Sequence, residues 1–244
     1  MRYNVGMKKF QVAIIGGGAS GLTLACALAN ENCIITVYER GERVGRKLSA
    51  TGNGQGNVTN LAVKDTPYFS FSGVGIARAN ALISRYDAQL LMADLQSLGL
   101  LLIADERGRV YPAGRQASAV TDALRFTLSQ TGVQTRLDSQ VERIEKTAQG
   151  FVLSIKNKQG DKQTSTADAV VLCAGGNVAK QLGTDGTAYA LATALGHTCT
   201  PLYPSLVQLK TEMQTIKTLK GIRVTDAGIK ATWQNERGER QSHA

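Results

Sequence analysis

Three glycines and one acid have the types and spacing to hold a phosphorylated ligand. They are Gly16, Gly18 and Gly21, at G-x-G-x-x-G spacing, and Glu39, 18 residues past the last of them. The first glycine permits a tight turn. The second removes a side chain where a pyrophosphate must approach the backbone, and the third lets helix and strand pack closely. Ala19 and Ser20 open the segment that follows, whose first N–H groups and partial positive charge suit that pyrophosphate. Glu39 is placed to accept hydrogen bonds from an adenosine ribose. Its charge also repels a 2′-phosphate, so the pattern selects FAD or NAD over NADP, an exclusion that the neighbouring Arg40 softens. Dinucleotide binding is the reading of this stretch. A βαβ unit with an ordinary glycine-rich turn would leave Glu39 unexplained.

These residues work only if a strand, a turn, a helix and a second strand present them in that order. Residues 10–40 supply them: an apolar run Val12–Ile15, a small-residue helix Leu22–Leu28, a turn through Asn30 and Asn32, and a β-branched strand Ile34–Val37. Beyond Glu39 the periodicity stops. Residues 41–60 are rich in Gly, Asn, Ser and Thr and form a long loop, of a length that is usually functional. Arg46 and Lys47 bring two cations close after the ribose acid, suited to a dinucleotide's phosphates or an anionic flavin. The run Thr51–Asn57, with Asn53 at its centre, offers amides and backbone N–H groups with little bulk to a flat polar ring; a disordered glycine loop is the alternative.

The chain of 244 residues can bury a sizeable core as one large domain or two small ones. Hydrophobic content of 43% is that of a soluble globular protein, no apolar run reaches the length of a membrane span, and no secretory h-region precedes Met7-Lys8-Lys9. The four cysteines, Cys26, Cys33, Cys173 and Cys199, form no C-x-x-C pair and read as small buried hydrophobes of a reducing cytoplasm. Metal binding is unsupported, since His197 and His243 are the only histidines. Net charge is +9, with short clusters Arg43-Arg46-Lys47 and Lys217-Lys220-Arg223. Solvated surface explains most of it, and a polyanionic partner is the minority reading.

Further along, residues 74–99 carry helical periodicity in two pieces, Ala77, Leu82 and Ile83 in one and Leu90, Leu91, Leu95 and Leu98 in the other, stopped by Gly99. LLIADERGRVYP reads as a hairpin about Gly108, and Ala117–Gln130 as an amphipathic helix with Val120, Leu124 and Leu128 on one face. Strands follow at Val133–Leu137, Gln140–Lys146 and Phe151–Asn157, then a buried strand within ADAVVLCAGG (167–176). GTDGTAYALATALGH is a glycine turn into a helix ended by Gly196-His197. His197 reads as structural there, its positive form favoured by the dipole. Pro201 and Pro204 break the chain before expected strands at Ser205–Lys210 and Arg223–Trp233, and a polar turn ends it.

GGGASGL at 16–22, GRKLSATGNGQGNVTN at 45–60, RVYPAGRQAS and ADAVVLCAGG together resemble a family of bacterial FAD-dependent oxidoreductases, the aminoacetone-oxidase or BaiN/RdsA type. The similarity runs from Lys8 to about Trp233. Gln55-Gly56 departs from it, because family members commonly carry Arg-Cys there. The resemblance implies an α/β fold: a Rossmann-like FAD/NAD(P)-binding domain over 8–196, its parallel sheet flanked by helices and a β-meander. It also implies the start of an inserted, mostly β second domain over 197–244. The strand ending in the glycine pair is expected to re-enter the first sheet beside the glycine turn, with Val141, Ala174 and Gly175 as FAD contacts. Arg109, Tyr111 and Arg115 are candidates for substrate or flavin contact, with a plain hairpin surface as the alternative.

The same likeness implies a cytoplasmic flavoenzyme that reduces an activated C=C bond with NAD(P)H. Its substrate is a small molecule such as an oxo-bile-acid enone, or a uridine of rRNA. The alternatives are an rRNA dihydrouridine synthase proper and a non-catalytic nucleotide-binding remnant. No general acid is assigned, Tyr111 and His197 being the candidates, and no oligomeric state is set. Family members continue with a Gly-rich return segment that this sequence lacks. It therefore reads as the N-terminal part of a longer flavoprotein, expected to bind FAD weakly or not at all by itself.

Overall fold

Alternate residues of β1 (Phe10–Ile15) belong to two different cores, and that division sets the layers of the protein. The computed structural model describes residues 9–29, 32–65, 68, 73–204, 212, 214, 217–219, 221–222, 227–228, 230–235 and 237–243. In it β1 is flanked by β2 (Cys33–Tyr38) and β10 (Ala169–Leu172), and β6 (Gln134–Arg136) joins beyond β2, all parallel. Val12 and Ile14 pack with Ile35 and Val37 of β2, with Leu22 and Ala25 of α1 (Ala19–Leu28), and with Val120, Leu124 and Leu128 of α4 (Ala117–Ser129). Ala13, Ile15 and Tyr38 belong to the other core. They pack there with Val141, Ile144, Leu153, Ile155 and Ala167 of an antiparallel meander, β7 (Ser139–Thr147), β8 (Gly150–Asn157) and β9 (Lys162–Ala167). Each fully buried aliphatic side chain contributes about 1.5–3 kcal/mol. The result is the expected Rossmann-like α/β domain, with helices on one face of a parallel sheet and a meander on the other.

Segment 74–99 forms two helices, α2 (Gly73–Arg85) and α3 (Ala88–Ser97). Asp87 caps α3 by accepting from Leu90 N–H at 3.0 Å, and Gly99 ends the run at φ +85°. The apolar stripe of α2 is not buried, and Leu82 is 68% exposed. The hairpin is present as β4 (Leu102–Ala104) and β5 (Arg109–Pro112), extended by β3 (Thr59–Asn60). Two features differ from expectation. The strand in ADAVVLCAGG is half-buried rather than buried, because β10 is the edge of the parallel sheet, and Cys173 falls one residue beyond it. β9 has no counterpart among the expected strands, since KQTSTA carries no apolar alternation.

The chain divides after Cys199 into two compact units. The second contains a hairpin of β11 (Ala231–Gln234) and β12 (Arg240–His243), so a strand stands where a terminal polar turn was expected. The expectations at Met7-Lys8, Asn30, Ser205–Lys210, Lys220 and residues 223–226 lie outside the described residues. No helix among the described residues is long and apolar enough to cross a membrane.

Candidate dinucleotide-binding site

Beyond the carboxyl ends of β1, β2 and β10 lies a cavity of about 330 Å³, at the point where β1 has neighbours on both sides. Parallel α/β sheets bind ligands at such a position. Gly16 has φ +109°, and a Cβ there would come within 2.5 Å of the Cys173 carbonyl oxygen. Its N–H donates to Tyr38 O at 2.8 Å, which locks the turn to the end of β2. A Cβ on Gly21 would lie 2.0 Å from Gly16 O, so α1 seats directly on the glycine turn. Gly18 is different. Nothing lies within 4 Å of the position its Cβ would take, and no side chain caps α1 there. The outer two glycines are tightly packed, as a turn and a close helix contact require, and the middle one leaves open space.

Glu39 sits at the end of β2 with both carboxylate oxygens engaged. Oε2 accepts from Gly17 N–H at 2.8 Å and Oε1 from Gly41 N–H at 2.7 Å. A carboxylate has about four acceptor sites, so each oxygen keeps capacity for a ribose hydroxyl. Gly16, Gly18, Ala19, Ser20, Glu39, Arg40, Arg46, Lys47, Val141, Ala174 and Gly175 all line the cavity. Gly21 stands behind it, against Gly16. Asn53 is exposed and does not line it: residues 48–54 form an irregular 3-10 turn in which Thr51, rather than Asn53, reaches the wall.

The cations near Glu39 already have partners. Arg40 pairs with Asp185 at 2.8 Å and donates to Gly183 O. Arg46 donates to Gln181 O at 3.2 Å, and Lys47 to Thr184 Oγ1 at 3.4 Å. The Arg40 guanidinium, ahead of a hydrogen bond from Thr187, holds the Asp185 carboxyl well below the usual carboxylate range. Segment 182–185 therefore forms part of the wall. Its GTDG sequence signals a turn, but nothing local says what the turn faces. Cys173, expected as a buried hydrophobe, also lines the cavity. Burial pushes its thiol up, with a hydrogen bond from Ser20 opposing. Cys26 is buried, Cys33 is half-buried and Cys199 is exposed.

The remaining candidates lie elsewhere. Tyr111 is buried beneath two guanidinium groups, Arg115 at 4.7 Å and Arg109 at 5.9 Å from its ring centroid, and none of the three lines the cavity. Arg109 is held by Asp105 and Arg115 by Gln55. His197 is exposed and outside the cavity lining. Gly56 has φ +75°, and a Cβ would sit 2.7 Å from Ala117 Cα, so this backbone does not admit a cysteine at that position without a shift.

The open position at Gly18, the uncapped start of α1 and the anchored Glu39 fit the adenosine diphosphate half of a dinucleotide. Consistently, the chain matches the HI0933-like protein Rossmann domain over residues 10–235 and belongs to that family. Among curated relatives, the 3-dehydro-bile acid delta(4,6)-reductase of Clostridium scindens is 35% identical over 223 residues, 91% of this chain and 52% of that protein. The ribosomal RNA dihydrouridine synthase of Haemophilus influenzae is 28% identical over 198 residues, 80% of this chain and 47% of that protein. The chain thus spans about half the length of the curated relatives it matches. Among solved structures, glycine oxidase from Geobacillus kaustophilus superposes with a TM-score of 0.51 at 18% identity, covering 78% of this chain and 59% of that one, which speaks to the fold.

Proposed function

We propose that this chain is the FAD-binding part of an oxidoreductase that reduces a C=C bond conjugated to a carbonyl, with NAD(P)H as electron donor. The observation that carries the proposal is the Glu39–Gly17 hydrogen bond, which joins a ribose acceptor to the glycine turn at the end of the parallel sheet. Once bound, a flavin supplies the hydride chemistry. The chain's own residues bind and orient it. Glu39 takes the ribose hydroxyls, and the amides of Ala19 and Ser20 hold the diphosphate at the positive end of α1. Arg46 and Lys47 offset phosphate charge, Val141 packs beside the adenine, and the backbone at Ala174 and Gly175 approaches the cofactor without bulk. Segment 182–185 excludes water from that wall. Residues 8–196 form the cofactor domain and residues 197–244 begin an inserted β-rich domain, in a cytoplasmic protein. The names of the relatives support a choice of substrate between an enone and a uridine.

The net charge of +9 and the Haemophilus influenzae relative favour a second reading, reduction of a uridine in rRNA. Binding to an rRNA fragment that weakens steeply with salt supports it, and salt-independent binding counts against it. The primary proposal is tested by titrating the purified chain with FAD, then adding NADH or NADPH without oxygen. Weak, saturable FAD binding that ADP displaces is expected, with bleaching of the flavin on addition of the nicotinamide. A chain that binds neither FAD nor ADP contradicts the proposal.

A further inference from the structure

The segment between β10 and α5 (Thr187–Ala194) is closed at its base, where Gly186 N–H donates to Gly176 O at 3.1 Å. From the opposite loop three cations grip its far side: Arg40 holds Gly183 and Asp185, Arg46 holds Gln181 and Lys47 holds Thr184. All of Arg40, Arg46, Lys47, Gly183, Thr184 and Asp185 line the cavity, so this grip is a seam in the cavity wall. The segment folds tightly on itself, since a Cβ on Gly175 would lie 2.7 Å from Thr184 Cγ2, and Lys47 Nζ reaches it from the opposite loop, 3.5 Å from that same Cβ position.

The three grips are not equivalent. Arg46 and Lys47 donate to neutral acceptors, a carbonyl and a hydroxyl, which a diphosphate outcompetes as an acceptor. Arg40 has a carboxylate partner, and Thr187 fixes the other oxygen of that carboxylate through its N–H at 3.1 Å and its hydroxyl at 2.5 Å. Arg40 also follows Glu39 directly in the chain, so the ribose acid and the seam share one stretch of backbone. We infer that the Arg40–Asp185 pair is a latch that retains a bound dinucleotide, while Arg46 and Lys47 transfer from the seam to its phosphates. Both members of the pair are positioning residues, acting through the 181–185 wall. The inference rests on the dinucleotide reading of the cavity.

The test measures the rate at which FAD and ADP leave the chain, for the wild type, Asp185→Asn, Arg40→Gln, the two combined, and the exchanged pair Arg40→Asp with Asp185→Arg. Amide hydrogen exchange across 181–187 is followed in the ligand-free proteins. Each single change is expected to speed release by roughly three- to tenfold, the range for a half-exposed, charge-assisted pair. The combined variant should be no faster than either single one, and exchange at 181–187 should rise in all three. The exchanged pair should recover slow release at least in part. Unchanged release rates, or effects that add in the combined variant, overturn the latch while leaving nucleotide binding intact. A wild-type chain that binds neither FAD nor ADP overturns the dinucleotide reading and the latch together.

Discussion

Glu39 accepts a hydrogen bond from the backbone N–H of Gly17 at 2.8 Å, across 22 positions of sequence. That bond fixes the end of β2 against the glycine turn that follows β1. The second oxygen accepts from Gly41, so the carboxylate also shapes the start of the long loop. One side chain thus ties the end of β2 to the glycine turn and to the start of the loop, with acceptor capacity left over.

Glu39→Gln leaves one carbonyl acceptor for two backbone donors and puts an amide donor beside one of them. Stability should fall by about 1–2 kcal/mol, the scale of a lost bond to a charged group. Affinity for ADP should fall by about tenfold, the 1.4 kcal/mol equivalent of one weakened ribose contact. Thermal unfolding and calorimetric titration read the two effects separately.

Gly18 and Gly21 should respond in opposite ways to alanine. Gly21→Ala forces a methyl against Gly16 O and is expected to cost about 3 kcal/mol or more, seen as poor folding or a sharply lower Tm. Gly18→Ala meets no neighbouring atom and should leave the Tm within a degree or two. Its methyl would enter the space proposed for the diphosphate, so ADP binding should weaken by about tenfold or more.

Leu124 is almost wholly buried where α4 meets α1 and the parallel sheet. Leu124→Ala should lower unfolding free energy by about 2–5 kcal/mol, measured by denaturant titration. ADP affinity in the folded fraction should be little changed, since Leu124 does not line the cavity.

The Asp185 carboxyl is held below its ordinary value by Arg40 first and by Thr187 next. A depressed folded-state pKa contributes stability that is present above the unfolded value, near 3.9, and is lost as pH falls through the folded value. Wild type should therefore exceed Asp185→Asn in stability near neutral pH, and the gap should close as pH falls below about 4. Denaturant titrations of both proteins across that range check the sign.

Most of the core was legible because it rests on local patterns. Val12–Ile15, Ile34–Val37 and the Val120, Leu124, Leu128 stripe all read directly as periodicity, and the return of ADAVVLCAGG beside β1 followed from family likeness. What the sequence did not reveal depends on partners distant along the chain. β9 carries polar residues because only its last one is buried, and Leu82 lies on a helix face that the described residues leave exposed. Composition points to Asn53, but residue 53 is exposed and does not line the cavity. Asp185 and its wall carry no local signal, for a related reason. Only the folded chain brings it to Arg40, 145 positions away.

The central claim is that a nucleotide diphosphate rests on the amides beside Gly18 with its ribose at Glu39. The most direct measurement is an ADP titration of the isotopically labelled chain, following backbone amide resonances by NMR. The account predicts saturable shifts at Gly17, Gly18, Ala19, Ser20 and Gly41, which Gly18→Ala weakens without unfolding the protein. Shifts confined to other parts of the chain, or none at millimolar ADP, would contradict it.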